Sequence, residues 1–332
     1  MLLVDNCVAK IYKRCHLKGY VIKLIGGLYT IVDIETKEKM DATARGKLRY
    51  VRLTADNDFL KQTGKKTKKD IKMQAISPKV GDYVLYEIVD GKAMIEEVLP
   101  RKNELSRPDV TNIDQVLLVF SCVRPDFSFQ LLDKFLVILE QNNLTPVIIV
   151  SKIDLIDPQA LDILKTQMTY YQTYYDVYYV NSKQRIGFDV LQSIFKDKLT
   201  VLAGQTGVGK STLMNALLPE LNLKTQEISD ALGRGKHTTR HAEAYIFNEG
   251  YIADTPGFSK IELEGYDFTE IKENFIDFNA YSHLCKFKNQ CHHLTEPGCH
   301  IKEMVSQNLI LPTRYESYVS FVNEIKNKKV KY

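Results

Sequence analysis

The stretch Gly204-Gln205-Thr206-Gly207-Val208-Gly209-Lys210-Ser211-Thr212 decides the fold of this chain. It fits the phosphate-binding loop pattern G-x-x-x-x-G-K-[ST], whose glycines let backbone N–H groups turn toward an anion. The apolar run at 199–203 predicts a strand entering the loop, and 211–217 predicts a helix whose N-terminus favours a phosphate. Lys210 is placed to reach the β- and γ-phosphates, and Ser211 to ligate Mg²⁺. A glycine-rich turn with a stray lysine is the poorer reading of a complete motif in this setting.

Length and composition limit the classes of protein to which the chain can belong. The chain has 332 residues, of which 44% are hydrophobic, and this size predicts two or three domains. No run approaches the ~18–20 apolar residues of a membrane span, and residues 1–18 lack a signal-peptide core. We therefore expect a cytoplasmic protein with no membrane partner. The net charge of +4 permits a nucleic-acid partner without demonstrating one.

Residues 1–100 predict a five-stranded barrel of the OB type, a class that often binds oligonucleotides. The predicted strands are Gly19 to Leu24, Leu28 to Asp33, Lys39 to Arg49, Tyr83 to Val89 and Ala93 to Leu99. A lysine-rich stretch between the third and fourth strands is either a solvated loop or a contact to RNA phosphates, and both readings can hold. Its lysines are Lys61, Lys65, Lys66, Lys68, Lys69 and Lys72. Residues 101–108 predict a linker.

From residue 109 the pattern changes to near-continuous apolar strands that alternate with helices, which predicts a parallel sheet covered on both faces. The strands are predicted at 115–120, 146–150 and 177–180, and the helices at 130–141, 157–171 and 187–195. Six tyrosines between 170 and 179 are interpreted as packing and surface residues.

The tetrapeptide Ser151-Lys152-Ile153-Asp154 follows one of these strands and resembles the guanine-specificity motif N-K-x-D. The Asp154 carboxylate suits guanine because it can accept from N1–H and the exocyclic amine, a donor pair that adenine lacks. The Lys152 stem is expected to lie over the base. Ser151 replaces the usual asparagine and loses its amide reach, so we expect lower guanine affinity. Alone, the motif is also consistent with a capped helix start.

Two further segments come after the phosphate loop. The run Gly233-Arg234-Gly235-Lys236-His237-Thr238-Thr239 is a candidate first switch, with Thr238 or Thr239 closing on Mg²⁺ and γ-phosphate. The run Asp254-Thr255-Pro256-Gly257 has the D-x-x-G pattern, in which Asp254 serves the Mg²⁺ shell and the Gly257 N–H senses γ-phosphate. Base recognition thus precedes the phosphate loop, and a circular permutation explains this rotated order.

Four residues near the C-terminus, Cys285, Cys291, His293 and Cys299, offer three thiolates and one imidazole. Such a set suits a closed tetrahedral site for one structural Zn²⁺, with no open position for catalysis. His292 and His300 are alternative ligands, and free buried cysteines are the alternative reading. Helical stretches at 269–281 and 301–329 are expected around the cluster.

Taken together, the chain resembles the ribosome small subunit-dependent GTPase A family over nearly its whole length. The resemblance rests on P-R-K-N-x-L-x-R-P at 100–108, the phosphate loop, G-R-G-K-H-T-T, D-T-P-G-F and C…C-x-H-x-x-E-P-G-C. It implies an OB-type barrel at 1–100, a linker at 101–108, a circularly permuted α/β P-loop GTPase domain at 109–262 and a helical zinc-binding domain at 263–332. It also implies a monomer that hydrolyses GTP when stimulated by the 30S subunit, binds 16S rRNA and acts late in 30S assembly.

The position after D-x-x-G, which holds a water-orienting glutamine in Ras-type GTPases, is Phe258. Phenylalanine cannot orient water, so slow intrinsic hydrolysis is expected until a partner completes the site. By resemblance, His237 is the candidate that swings in, and an exposed loop histidine is the alternative. Two other functions stay open at this point: a P-loop ATPase or kinase, which Asp154 disfavours, and a zinc-bearing RNA-binding module with a degenerate nucleotide site.

Overall fold

A computed structural model describes residues 16–46, 77–105, 109–221, 242–254, 263 and 265–329. The lysine-rich stretch at 61–72 and the first switch lie outside these residues. The chain divides into two compact units. The described part of the first covers 16–46, 77–104, 109–112 and 242–244, and the second holds the other described residues. The domain boundaries expected from the sequence stay predictions.

The first unit is a closed five-stranded barrel. Its strands are β1 (Leu17–Ile25), β2 (Leu28–Asp33), β3 (Lys39–Ala44), β4 (Tyr83–Val89) and β5 (Lys92–Val98). The pairings β1–β2, β2–β3, β4–β5 and β1–β4 are antiparallel, and the β3–β5 pairing is parallel. Closure leaves no edge in this ring. The third strand ends five residues earlier than predicted.

The start of the predicted linker is fixed by a buried carboxylate of the barrel unit. Both oxygens of Asp82 accept from the Arg101 guanidinium, at 2.8 and 2.7 Å. The Thr111 hydroxyl donates to the same carboxylate at 2.7 Å. Bidentate pairing with arginine is a strong, directional contact. Residues 101–104 are therefore anchored, although their basic composition alone predicted a linker.

The second unit contains a sheet in the order β10-β9-β8-β11-β13-β12, to which β12 contributes only residues 245–247 from this unit. Short strands at Glu104–Leu105 and Val110–Thr111, β6 and β7, precede it. The sheet strands are β8 (Gln115–Ser121), β9 (Thr145–Ser151), β10 (Asp176–Val180), β11 (Leu199–Ala203), β12 (Glu243–Phe247) and β13 (Gly250–Asp254). All pairings among β10, β9, β8, β11 and β13 are parallel. Strands β8, β9 and β11 are almost wholly buried, which is why their sequences lack alternation.

Among the described residues, four helices connect these strands: α1 (Phe129–Gln141), α2 (Pro158–Gln172), α3 (Phe188–Gln192) and α4 (Lys210–Leu217). Helix α1 begins at the Ser128 cap, whose side chain accepts from the Leu131 N–H. Helix α2 begins after Asp157, which caps it in the same way and is followed by proline. The predicted helix at 187–195 becomes α3 followed by a 3₁₀ turn at Ser193–Phe195.

The C-terminal helices are α5 (Phe268–Glu273), α6 (Ile276–Ser282), α7 (His300–Ser306) and α8 (Pro312–Lys329). Each of the two predicted helical stretches is therefore a pair of helices. The first breaks at the Asn274 cap, and the second at Asn308, whose φ is 57°, ahead of Pro312. One apolar cluster joins these helices to Val137 of α1. Among the described residues, no helix is long and apolar enough to cross a membrane.

Candidate functional site

The predicted nucleotide-binding segments meet at one edge of the parallel sheet. The phosphate loop follows β11, Ser151 ends β9, and Asp254 ends β13, so all three stand at carboxyl ends of parallel strands. Ligands of open α/β sheets bind at this edge. The permuted order of the segments therefore leaves them side by side in space.

The phosphate loop has a backbone that only glycine tolerates at key positions. Gly204, Gly207 and Gly209 have φ values of 137°, 86° and 99°. A Cβ on Gly204 would lie 2.2 Å from the Val119 carbonyl oxygen. Val208 is 1% exposed and anchors the loop in the apolar core. Val208 therefore fixes the loop to the core, and Gly209 is the N-terminal cap of α4.

Lys210 and Ser211 begin helix α4, as the motif predicted. The Lys210 ammonium donates to the carbonyl oxygens of Gly204 and Gln205, both at 2.7 Å. The Lys210 side chain therefore lies across the phosphate loop, and its ammonium group stays next to the loop backbone. Ser211 is exposed and Thr212 half-buried, and Thr206 stands exposed on the loop. These residues can present a cation, hydroxyls and backbone N–H groups to a bound polyphosphate.

Ser151 is buried, and its hydroxyl contacts the phosphate loop. It donates to the Val208 carbonyl at 2.6 Å and lies 3.2 Å from the Phe120 carbonyl oxygen. At 2% exposure the side chain is enclosed by protein. Its contacts brace the base-recognition segment against the phosphate loop, a role that the sequence did not predict. The lower guanine affinity expected from serine at this position stays a prediction.

Lys152 joins its own segment to two other backbone segments. Its ammonium donates to the carbonyls of Gly207 at 2.7 Å and of Arg124, and lies 3.4 Å from that of Val123. Burial lowers the pKa of Lys152, and the nearby charges of Arg124 and Lys183 lower it further. Ile153 is half-buried and Asp154 exposed. The Asp154 carboxylate is therefore accessible to a ligand, and the neighbouring Lys152 side chain is held in place by its hydrogen bonds.

The switch residues are only partly described. Asp254 is the last residue of β13, and the backbone of that strand is paired with β11. Asp254 therefore comes one residue after the Val201–Ala253 pair, near the end of β11 that leads into the phosphate loop. His237, Thr238, Thr239 and Gly257 lie outside the described residues, so their predicted roles remain proposals.

The cysteine–histidine cluster is compact and buried. The ligand atoms of Cys285, Cys291, His293 and Cys299 all lie within 4.8 Å of one another. His293 Nδ1 is 3.6 Å from Cys285 Sγ and 3.5 Å from Cys299 Sγ. Tetrahedral zinc with bonds of about 2.3 Å to sulfur and about 2.0 Å to nitrogen would separate these atoms by roughly 3.5 Å. The three cysteines are free thiols. The donor set therefore fits a zinc ion.

The alternatives His292 and His300 do not belong to that cluster. Burial lowers the pKa of His293 to about 4, so its ring is neutral at physiological pH and able to bind a metal. The backbone around it is tied to helix α8. Tyr315 donates to the His293 carbonyl and Tyr318 to the His292 carbonyl, each at 2.7 Å. These two bonds fix the cluster on one face of the helix.

A buried group of charges was not anticipated from the sequence. Arg314 of α8, 1% exposed, lies between Asp133 of α1 and Asp277 of α6. Its guanidinium donates to Asp133 at 2.7 Å and to Asp277 at 3.0 Å. The hydroxyls of Tyr171 and Tyr170 donate to the same two carboxylates, at 2.8 and 2.7 Å. One signal was available: Asp133 interrupts the apolar face of α1.

A sequence model of the RsgA GTPase family matches residues 98–264. The chain is 49% identical, over 315 residues, to the small ribosomal subunit biogenesis GTPase RsgA of Phytoplasma australiense, covering 95% of this chain and 98% of that protein. The chain belongs to the RsgA GTPase family. It is also 41% identical over 320 residues to the protein of that name from Bacillus subtilis strain 168, covering 95% of this chain and 99% of the relative.

Two solved structures show the same architecture. YloQ, described as a circularly permuted GTPase, superposes with a TM-score of 0.77 at 35% identity, covering 97% of this chain and 99% of that one. YjeQ from Thermotoga maritima superposes with a TM-score of 0.75 at 33% identity, and the match covers 93% of this chain and 98% of that one. The predicted family and the multidomain fold with a permuted GTPase domain are confirmed. The chain is thus a GTPase, and its family implies the use of GTP and Mg²⁺.

Proposed function

We propose that this GTPase acts as a switch in assembly of the small ribosomal subunit, which stimulates its GTP hydrolysis and whose 16S rRNA it binds. The relatives are named small ribosomal subunit biogenesis GTPases, and the chain covers 98–99% of their length. Those names carry the proposal of a ribosomal partner, and the contacts of Ser151 and Lys152 with the phosphate loop support its nucleotide-binding part. The protein would act in the cytoplasm as a monomer.

Within the site, the described residues are assigned roles from their positions, and Thr238, Thr239 and Gly257 are assigned roles from their sequence motifs alone. Lys210, Ser211 and the loop from Gly204 to Thr212 hold the phosphates, and Asp154 with Lys152 and Ile153 receives the base. Asp254 and either Thr238 or Thr239 would complete the Mg²⁺ shell, and Gly257 would sense the γ-phosphate. When bound, Mg²⁺ supplies positive charge that stabilises the phosphates in the transition state.

The position that holds a water-orienting side chain in Ras-type GTPases is Phe258 in this chain, so a partner is needed to complete the site. We propose that His237 takes that role when the small subunit positions the first switch. Histidine can orient or accept a proton from a water molecule near neutral pH. Binding of nucleotide needs the phosphate loop and the base motif but not His237, so the two steps separate experimentally.

The decisive experiment compares GTP hydrolysis with and without purified small ribosomal subunits. We expect a large stimulation for the unaltered protein, and loss of that stimulation in His237→Ala with unchanged GDP binding. Equal turnover with and without small subunits would refute the proposal that the small subunit stimulates hydrolysis. Stimulation that survives in His237→Ala would refute only the role of His237. Substituting ATP for GTP controls for a general P-loop ATPase.

We further propose one structural Zn²⁺ at Cys285, Cys291, His293 and Cys299. The spacing of their ligand atoms and their burial support it. Metal analysis of the purified chain should find one zinc per molecule. Cys299→Ser should lose it and destabilise the second unit, because the buried donors are then left without their cation. Full zinc content in that variant would contradict this ligand set.

A further inference from the structure

The buried charges around Arg314 have no part in the phosphate chemistry, yet they join helices that flank the guanine motif. Asp133 lies on α1, which leads into β9, and Tyr171 lies on α2, which leaves the motif at the end of β9. Arg314 and Asp277 come from the C-terminal helices. The whole group is about 99% buried. Such a cluster holds helices in one arrangement, since separating any partner leaves an uncompensated charge.

An aromatic series continues from this cluster toward the nucleotide site. The Arg314 guanidinium carbon is 5.7 Å from the centre of the Tyr171 ring. That ring stacks on Phe129 at 5.7 Å, and Phe129 contacts Phe127 at 4.9 Å between ring centres. Phe127 belongs to the segment at 122–128, here termed the β8–α1 loop. Packed aromatic rings have few alternative arrangements, so the position of Tyr171 constrains this loop.

The β8–α1 loop in turn holds the lysine of the guanine motif. The Lys152 ammonium donates to the Arg124 carbonyl within it, as well as to Gly207 of the phosphate loop. A shift of the β8–α1 loop would therefore move the Lys152 stem and, with it, the neighbouring Asp154. Hydrogen bonds to a base tolerate little displacement, because direction as well as distance decides their strength.

We propose that Arg314 is a positioning residue for guanine recognition, acting through Tyr171, Phe129 and the β8–α1 loop on Lys152 and Asp154. This inference rests on the guanine site proposed above. The cysteine–histidine region is attached to the same helix, because Tyr315 and Tyr318 donate to its backbone carbonyls. Base selectivity in this chain then depends on a helix far along the sequence from the motif itself.

The test measures affinity for GDP and for inosine diphosphate, which lacks the 2-amino group that would donate a hydrogen bond to Asp154. In the unaltered protein we expect GDP to bind about 10- to 100-fold more tightly, as for one hydrogen bond to a charged acceptor. Arg314→Met should lower this ratio about fivefold or more, and Phe129→Leu about threefold. A merely structural role would lower stability and leave the ratio unchanged.

Lys134→Met is the matched control, since Lys134 also joins α1 to α8, through Glu324 at 3.1 Å, but near the surface. Its ratio should stay within about twofold of the unaltered protein. Phe129→Leu keeps the test decisive if Arg314→Met fails to fold, because it leaves the charges intact. A folded Phe129→Leu or Arg314→Met with an unchanged ratio would overturn the inference. If the unaltered protein binds both nucleotides equally, Asp154 does not read the 2-amino group, and this inference falls together with that role of Asp154. The proposed stimulation by small ribosomal subunits is tested separately and does not depend on this ratio.

Discussion

The phosphate loop and the buried Arg314 cluster are built in opposite ways. The loop takes all its parts from nine consecutive residues, and its site is made of backbone held by glycine conformations. The cluster takes Asp133, Asp277 and Arg314 from three distant positions and consists of side-chain charges. A site of the first kind has a sequence signature because its requirements are local. A site of the second kind has none until the fold brings its members together.

The two regions also respond differently to change. The loop depends on individual backbone conformations, so one added methyl group can block it. The cluster depends on mutual compensation, so removing one member is far worse than removing several together. Substitutions in the two regions test this difference, and each is compared with a variant of the same chemistry at a less critical position.

The largest loss of stability is expected from Arg314→Met. Two buried carboxylates would lose their cation, at about 3–5 kcal/mol of unfolding free energy. Lys134→Met should lose less than about 1 kcal/mol, because its partner Glu324 is partly solvated. Urea unfolding of both variants checks this. Similar losses in the two would show that burial does not set the strength of the Arg314 cluster.

Lys210→Ala is expected to produce the largest loss of activity at little cost in stability. Removing a preorganised charge from the phosphates should lower GTP turnover by about 100- to 1,000-fold. Lys196→Ala removes an exposed lysine that pairs with Glu249, and it should leave turnover unchanged. Steady-state phosphate release measures both. Turnover within about threefold of the unaltered protein in Lys210→Ala would contradict the assigned site.

Gly204→Ala tests the backbone basis of the loop. The new methyl group would lie 2.2 Å from the Val119 carbonyl at a φ of 137°, and we expect a loss of about 3 kcal/mol or more. Gly265→Ala has a φ of 85° but open space, so only the roughly 1 kcal/mol of left-handed strain applies. Thermal unfolding of the two variants compares them, and equal stability would show that the loop relaxes around the methyl group.

The smallest effect is expected from Ser151→Ala. Losing the bond from its hydroxyl to the Val208 carbonyl should weaken GDP binding about fivefold, equivalent to about 1 kcal/mol. Ser193→Ala removes a hydroxyl bonded to the Val190 carbonyl and should leave GDP affinity unaltered. Calorimetric titration separates them. If Ser151→Ala binds GDP as well as the unaltered protein, the brace contributes nothing to the nucleotide site.

Much of this site was predictable because its physics is local. The phosphate loop followed from glycine spacing and the flanking apolar runs, and the cysteine–histidine cluster from crowded thiols. The contacts of Ser151 were not predictable, since they depend on β9 and β11 presenting their ends together. The tyrosines at 170 and 171 were interpreted as packing residues, and their rings do pack. Their hydroxyls, however, serve carboxylates 107 and 38 residues away in sequence.

The central claim is that the nucleotide site and the C-terminal helices act as one cooperative body through the Arg314 cluster. Amide hydrogen exchange with and without GDP tests it most directly. At about 100 times its dissociation constant, GDP should stabilise that body by about 2.7 kcal/mol, so the slowest amides of α8 should exchange about 100-fold more slowly. Slowing confined to the phosphate loop and α4, with α8 exchanging at its original rate, would contradict the claim.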